Sequence, residues 1–89
     1  MIFIQLAKFR RKVTKEDVER TNQLLLKFEK KGIKSLGGYF TLGRYDVVAI
    51  FDAPDEKVAM WVAGQISDRA STETLVGLKR EDALKLLES

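Results

Sequence analysis

The stretch GGYFTLGRYDVVAIFDAP, residues 37–54, decides the fold of this chain because it places a turn between two apolar, β-rich segments. Gly43 stands at the turn, and the segments 33–42 and 46–51 on either side are predicted strands of one antiparallel hairpin. A turn requires only residues that tolerate its backbone dihedral angles. Tyr45 and Asp46, which follow the turn, therefore point to a further role.

The residues ahead of the hairpin predict a strand followed by a helix. Residues 2–9 are apolar at nearly every position, which is typical of a strand. A helix is predicted from Thr14, which can cap it together with Asp17, to residue 31, and Gly32 is its predicted stop. The apolar face of this helix is predicted from residues at helical spacing: Val18, Thr21, Leu25 and Phe28, widened by Leu24 and Leu26.

The hairpin and the residues after it predict the rest of the fold. The paired glycines at 37–38 indicate either a β-bulge within their strand or a close approach of another backbone. Asp52 is predicted to cap a second helix that has Pro54 near its first turn. Residues 72–78 predict a fourth strand, and 81–87 a short closing helix. The apolar stripe of the second helix is predicted from Val58, Val62 and Ile66, with Ala59 and Ala63 beside it.

The order strand, helix, strand, strand, helix, strand indicates the fold class. It predicts an α+β protein with the ferredoxin-like split βαββαβ plan, in which one four-stranded antiparallel sheet carries two helices on one face, here with a short C-terminal helix added. We expect residues 1–89 to form a single domain, since a chain of this length supports only one modest core.

Two helices cover only one face of such a sheet, yet the segments that we expect at its centre are apolar on both faces. A sheet with one solvated face alternates apolar and polar residues, and neither 47–51 nor 2–7 does so. We therefore expect a homo-oligomer, a dimer or higher, that buries the open sheet face in a dimeric α+β barrel type of assembly. The alternative is a face that binds a ligand or nucleic acid. Trp61, beside the stripe of the second helix, is expected either at a further interface or half-covering the core.

The composition limits the chemistry that this chain can perform. It contains no cysteine and no histidine, which excludes thiolate nucleophiles, disulfides and the commonest general base and metal ligand. No apolar run approaches the ~20 residues of a membrane span, and the N-terminus lacks a secretory signal pattern. We therefore expect a cytoplasmic protein with no membrane contact. The Lys- and Glu-rich composition also suits a thermophile.

The densest basic segment lies between the first strand and the first helix. It is interpreted either as a contact for an anion or nucleic acid, or as a solvated loop of a lysine-rich protein. Its residues are Lys8, Arg10, Arg11, Lys12 and Lys15.

Most of the chain, and its second half most closely, resembles the GYD-domain family of small ferredoxin-like proteins. The shared features are a Gly-x-Tyr-Asp turn at 43–46, an Ala-Pro-Asp helix start at 53–55 and a Thr-Glu-Thr-Leu strand at 72–75. The first strand and helix match mainly in length and pattern. The family has no settled activity, so this resemblance implies the fold and leaves the function open.

The same half is similar to the effector-binding domain of the Lrp/AsnC transcription regulators, which share the Gly-x-Tyr-Asp turn and a Thr-x-Thr-Leu last strand. This resemblance implies dimers formed through the sheets and a small effector, such as an amino acid, bound near the turn. The chain has no helix-turn-helix ahead of the domain, and its first helix is longer. The candidate ligand-binding residues are Gly43, Arg44, Tyr45, Asp46, Thr72 and Thr74.

Two interpretations of these residues remain open. In the first, Asp46 accepts hydrogen bonds from turn amides and only locks the turn, while Tyr45 packs on a neighbour. In the second, Asp46 also binds the ammonium group of a ligand in an assembly. Thr72 and Thr74 share one face of their strand and are either part of the site or simply β-forming residues.

The sequence thus predicts a non-catalytic oligomeric module that binds a small metabolite and uses no cofactor. The alternative is a cofactor-independent enzyme of the dimeric α+β barrel type. A haem role would normally need an axial histidine, and the candidate carboxylates show neither an acid–base pair nor a calcium-loop spacing. IFIQLA at 2–7 matches the first-strand motif of ribonucleoprotein RNA-binding domains. The second motif of these domains, expected on the third strand, is missing from DVVAIF at 46–51, so an RNA-binding module is less favoured. The candidate carboxylates are Asp46, Asp52, Asp55 and Glu73.

Overall fold

The elements follow one another in the predicted split βαββαβ order. The computed structural model describes residues 1–88. The four strands are β1 (Ile2–Phe9), β2 (Lys34–Phe40), β3 (Val47–Asp52) and β4 (Ala70–Gly77). The helices are α1 (Lys15–Phe28), which a 3-10 turn (Glu29–Lys31) extends, α2 (Glu56–Ile66) and α3 (Arg80–Leu87). The sheet has the order β2-β3-β1-β4 and every neighbouring pair is antiparallel, so the predicted α+β fold is confirmed.

Both ends of the first helix follow the signals read from the sequence. The Thr14 hydroxyl accepts a hydrogen bond from the Asp17 backbone N–H at 3.2 Å, and the Asp17 carboxylate accepts one from the Thr14 N–H at 2.9 Å. This reciprocal pair satisfies two amides that the first helical turn would otherwise leave unpaired. At the other end, Gly32 adopts a left-handed φ of 74° and its N–H donates to the Glu29 carbonyl.

The start of the second helix differs from the prediction that Asp52 caps it. The cap is Asp55, whose carboxylate accepts the Val58 backbone N–H at 3.0 Å. Asp52 is instead the last residue of β3, where it pairs with Ile2 and Lys34 on the two neighbouring strands. Because the strand continues through Asp52, the chain cannot turn into a helix until three residues later. The Asp52 carboxylate binds the N-terminal ammonium group at 3.0 Å.

The pairing of β2 with β3 is irregular directly before the paired glycines, which agrees with the bulge alternative. Ser35 pairs with Phe51 and Gly37 pairs with Ile50, so the register shifts by one residue between them. Residues directly opposite one another in an antiparallel pair share a face. Gly37 and Tyr39 therefore lie on the open face of the sheet. Gly38 and Phe40 lie on the face that carries α1 and α2.

The core is built where the two central strands meet the helices. Phe3 on β1 and Phe51 on β3 lie opposite each other, stack with ring centroids 5.7 Å apart, and are almost fully buried. Each such ring contributes roughly 1.5–3 kcal/mol by burial. Phe28 packs the C-terminal end of α1 onto Phe51, and the centroids of their two rings are 6.3 Å apart. Trp61 also packs against this core, and the Lys31 ammonium lies 4.7 Å from its ring centroid. The core is completed by Ile33, Ala53, Ala59 and Val62.

The opposite face of the sheet is also apolar, as predicted for the two central strands. Ile4 on β1 lies opposite Ile50 on β3 and Leu75 on β4, and Leu6 lies opposite Val48. The four residues on the central strands are half-buried, and Leu75 is exposed. Among the helices of residues 1–88, none has the length and apolar character needed to cross a membrane.

Candidate functional site

The loop between β2 and β3 is closed by hydrogen bonds across its base. The Thr41 backbone N–H donates to the Asp46 carbonyl at 2.9 Å, and the Thr41 hydroxyl donates to the Tyr45 carbonyl at 2.8 Å. Gly43 has a φ of +100°, a conformation that side-chain-bearing residues rarely adopt. A methyl group at this position would meet no atom within 4 Å. The backbone conformation, and not a lack of space, therefore favours glycine here.

Asp46 joins this turn to the central strand β1. Its carboxylate accepts the Phe9 backbone N–H at 2.7 Å, and its own N–H donates to the Ala7 carbonyl at 2.8 Å. The sequence predicted bonds from turn amides, but the donor is on β1, because Val47 pairs with Ala7 and this places Asp46 beside the end of β1. Asp46 thereby stabilises both the turn and its attachment to the sheet.

Tyr45 connects the turn to the outer strand across the open face. Its hydroxyl donates to the Glu73 carboxylate, and Glu73 lies opposite Leu6, on the open face. The Arg44 guanidinium lies 5.7 Å from the Tyr45 ring centroid. The hydrogen bond to Glu73, with desolvation as a smaller cause, raises the pKa of Tyr45, so its hydroxyl remains a donor at neutral pH. A cation, a phenol and a carboxylate therefore lie together at the edge of an apolar surface.

Thr72 and Thr74 lie on the other face of the sheet. Thr72 is opposite Ala7 and Thr74 is opposite Gln5, and both of these β1 residues are buried on the helix-bearing face. The structure thus divides the six candidate residues into two groups. The four turn residues form the first group, in which Tyr45 contacts Glu73, and the two threonines of the second group lie on the other face of the sheet.

A cavity of about 460 Å³ separates the middle of α1 from the sheet. Its floor includes a row of side-by-side residues on three neighbouring strands: Gln5 on β1 lies opposite Ala49 on β3, and Ala49 lies opposite Gly38 on β2. The neighbouring row is filled by the rings of Phe3 and Phe51, whereas alanine and glycine leave space. A methyl group placed on Gly38 would meet no atom within 4 Å. The small residues of this row therefore account for the gap beneath α1.

The predicted apolar face of α1 forms the roof of this cavity. Val18 and Leu25 line it and remain 51% and 47% exposed, which shows that the cavity opens to solvent along α1. Leu26, predicted to widen this face, is 79% exposed and is not among the lining residues. The other α1 residues of the predicted face that line the cavity are Thr21, Leu24 and Phe28.

Gln5 is the notable polar residue of the cavity. It is 4% exposed, and its Nε2 has no hydrogen-bond partner among the described residues. An unsatisfied buried donor costs about 1–3 kcal/mol. The sequence analysis missed this residue, although a signal was present, because Gln5 is the only polar side chain in IFIQLA at 2–7.

The carboxylate that lines the cavity is held in an ion pair. Arg11 donates two hydrogen bonds to Asp17, at 2.6 and 2.9 Å, and the Asp17 side chain is 7% exposed. The Arg11 hydrogen bond, followed by that of the Thr14 backbone, holds the pKa of Asp17 well below its usual range. Asp17 is therefore ionised and paired, and it is poorly suited to donate or accept a proton during catalysis.

Most of the basic segment between β1 and α1 contacts the chain itself. Beyond the Arg11–Asp17 pair, the Arg10 Nε donates to the Ser67 carbonyl at 3.1 Å and the Lys8 Nζ donates to the Arg44 carbonyl at 3.3 Å. Three of the five basic side chains are thus bound within the chain, and both interpretations of the segment stay predictions. Within residues 1–88, no three His, Cys, Asp or Glu side chains are grouped so that they could hold a metal ion.

Comparison with protein families identifies one match for this chain. The family model of the GYD domain matches residues 2–87 and so includes β1 and α1 as well as the turn and β4. Comparisons with curated proteins and with solved structures found no match.

Proposed function

The chain belongs to the GYD-domain family, and we propose that it acts as a non-catalytic homo-oligomeric module whose subunits associate through the open face of the sheet. The observation that carries this proposal is the apolar surface around Ile4, Ile50 and Leu75 on that face. Apolar area removed from water contributes roughly 25 cal/mol per Å². A sheet face that meets its own copy about a two-fold axis buries this surface on both subunits at once.

The same assembly provides a position for a ligand. Arg44, Tyr45 and Glu73 lie at the edge of the open face, where a second subunit would cover them. We propose that a small zwitterionic metabolite, such as an amino acid, binds there between subunits. The guanidinium of Arg44 suits its carboxylate, and the carboxylate of Glu73 suits its ammonium group. Asp46 contributes indirectly, since its bond to the Phe9 amide holds the turn in place.

A cofactor-independent enzyme is the second candidate, because the cavity beneath α1 has room for a reactant. The side chains that face this cavity argue against it. Asp17 is ionised and bound to Arg11, and the amide of Gln5 is neither an acid nor a base near neutral pH. The non-catalytic function is therefore preferred.

Native mass spectrometry of the wild type and two variants tests the assembly. We expect a discrete oligomer for the wild type and a folded monomer for Ile4→Arg, which places a charge at the centre of the open face. Leu26→Arg is the matched control, because Leu26 is 79% exposed on α1, and it should assemble like the wild type. A monomeric wild type, or an Ile4→Arg oligomer, contradicts the proposed interface.

Calorimetric titration with a mixture of amino acids, followed by single compounds, tests the ligand position. Glu73→Gln keeps the size of the side chain and removes the charge that would bind an ammonium group, so binding should weaken at least tenfold while the oligomer persists. Thr74→Val changes the opposite face of the same strand and should leave affinity unchanged. Binding that is equally strong in Glu73→Gln would place the ligand elsewhere.

A further inference from the structure

We infer that a polar cleft between α1 and the end of α2 binds phosphate, either as the free ion or as the phosphoryl group of a small metabolite. The cleft is separate from the Arg44–Glu73 position, because it lies on the helix-bearing side of the sheet and within one subunit. Phosphate binding there goes beyond the proposed function and does not depend on the proposed assembly.

Side chains that carry hydrogen-bond donors make up five of the six residues that line this cleft. α1 contributes Arg20, Gln23 and Lys27, which are spaced three and four residues apart and therefore lie on one side of the helix. Gln65 lies in the last turn of α2, and Arg69 ends the turn that follows it. Arginine and lysine side chains donate hydrogen bonds and accept none. The lining therefore suits a negatively charged ligand that accepts hydrogen bonds.

Arg69 is the most deeply buried cation of the lining, and its partners are weak. Its side chain is 8% exposed. The guanidinium lies 3.4 Å from the Gln65 carbonyl, 3.4 Å from the Thr21 hydroxyl and 3.5 Å from the Asp68 carboxylate. All three distances exceed the usual hydrogen-bond range of about 2.7–3.2 Å. Because a buried charge is costly unless it is closely paired, an anion in the cleft would stabilise this guanidinium.

The three cations of the lining share a single carboxylate within residues 1–88, that of Asp68. It binds Arg20 at 2.9 Å and lies 3.5 Å from Arg69, so two guanidinium groups compete for one negative charge. The exposed Lys27 side chain has no hydrogen bond or ion pair with the described residues. Three positive charges and one negative charge leave a net charge of +2 at the cleft. Phosphate groups carry a charge close to −2 near neutral pH, which matches this excess.

The size of the cleft and the kind of cation in it favour phosphate over a carboxylate. Its volume is about 130 Å³, and a water molecule occupies about 30 Å³ in the liquid, so the cleft has room for a group of four oxygens. Guanidinium groups bind phosphate with two parallel hydrogen bonds, and two of the three cations are arginines. A monocarboxylate would neutralise only one of the two excess charges. The exposed Arg20 and Lys27 leave the cleft open to solvent, where the rest of a metabolite would lie.

Calorimetric titration of the native protein with phosphate, ethyl phosphate and acetate, at constant ionic strength and about pH 7.5, tests this site. We expect phosphate or its monoester to bind the wild type at least about tenfold more tightly than acetate. Lys27→Gln removes one cation from the cleft and should weaken phosphate binding about fivefold or more. Lys30→Gln is the matched control, because Lys30 is also exposed, lies three residues further along the chain and does not line the cleft. Its affinity for phosphate should equal that of the wild type.

Asp68→Asn gives a test of the opposite sign. It removes the negative charge that Arg20 and Arg69 share, so phosphate should bind several-fold more tightly. Arg69→Met keeps most of the bulk of the side chain and removes the buried cation, so phosphate binding should be lost. Lys27 and Asp68 are both exposed, so their variants test the site even if Arg69→Met does not fold.

Three results would overturn the inference. The first is a wild type that binds neither phosphate nor ethyl phosphate more tightly than acetate. The second is an equal loss of affinity in Lys27→Gln and Lys30→Gln, because phosphate would then respond only to the overall positive charge of the chain. The third is an unchanged affinity in Asp68→Asn, which would place the phosphate away from Arg20 and Arg69.

The two phosphate probes also identify the source of the ligand. Tighter binding of phosphate assigns the free ion, tighter binding of ethyl phosphate assigns a phosphoryl group, and either order supports the site. The monomeric Ile4→Arg variant should bind phosphate as the wild type does, because the open face lies on the other side of the sheet. This variant separates failure of the phosphate site from failure of the proposed assembly.

Discussion

The backbone of Gly43 lies in the left-handed region, with a φ of +100°, and its surroundings are open. Gly43→Ala should therefore lower the free energy of unfolding by about 1 kcal/mol through strain alone. Gly64→Ala is the matched control, because Gly64 lies in the exposed side of α2 and a methyl group there also meets no atom within 4 Å. It should raise stability by up to about 1 kcal/mol. Urea unfolding of both variants measures the two changes, and a neutral Gly43→Ala would show that the turn relaxes to another conformation.

At the residue scale, the sequence predicts a conformation better than it predicts a partner. The need for glycine at 43 follows from local turn chemistry alone. The hydrogen-bond partner of Asp46 cannot be predicted from local chemistry. Phe9 is 37 residues away and lies beside Asp46 only because of the register between β1 and β3. The hydroxyl of Tyr45 meets Glu73 for the same kind of reason. The sequence offered Glu73 as a candidate carboxylate, but no local pattern placed it beside Tyr45, which lies 28 residues earlier in the chain.

The start of α1 offers a test of how ionisation stabilises an element. The lowered pKa of Asp17, caused first by Arg11 and then by the Thr14 amide, means that the folded protein favours the ionised carboxylate. This stabilisation is fully present above the ordinary aspartate pKa of 3.8 and is lost as the pH falls below it toward the lowered pKa of the folded state. Asp17→Asn should thus be less stable than the wild type at pH 7, and the difference should shrink below pH 4. Urea midpoints measured between pH 7 and pH 2.5 give this difference.

Asp68→Asn controls for the general effect of acid on this protein. Asp68 also binds an arginine, Arg20, at 2.9 Å, and this bond likewise lowers its pKa, but its side chain is 54% exposed. Exposed ion pairs contribute little to stability, so the pH dependence of Asp68→Asn should resemble that of the wild type. If Asp17→Asn differed from the wild type equally at all pH values, the stabilisation would come from packing and not from charge.

At the element scale, the sequence predicts the start of a helix poorly where two residues could each cap it. Thr14 and Asp17 predicted the start of α1 because no strand competes for them. Asp52 and Asp55 both carry a capping side chain close to Pro54, and local chemistry does not separate them. The choice falls to Asp55 because Asp52 is paired on both sides within the sheet. Tertiary pairing therefore sets the helix start.

At the scale of the whole molecule, the sequence predicted that both faces of the central strands are apolar, but it did not predict the cavity. Whether apolar and polar residues alternate along a strand can be read from the residues of β1 and β3 alone. The cavity depends on which residues of different strands fall in one row. Gly38 comes beneath α1 only because the bulge after Ser35 shifts the register of β2. No local pattern contains that alignment.

The open face also has a consequence for thermal stability. If subunits associate through it and separate when they unfold, mass action makes the unfolding temperature depend on protein concentration. A tenfold dilution removes about 1.4 kcal/mol per dimer, which for a pair of 89-residue chains corresponds to a lower midpoint by about 4 °C. Calorimetric scans from 10 to 1,000 µM should show this shift for the wild type and for Leu26→Arg. Ile4→Arg should unfold at a lower temperature that is the same at every concentration, because its charge keeps the Ile50 and Leu75 surface of each subunit in water. A wild-type midpoint that is constant across this range would mean that the apolar face is tolerated by an isolated subunit.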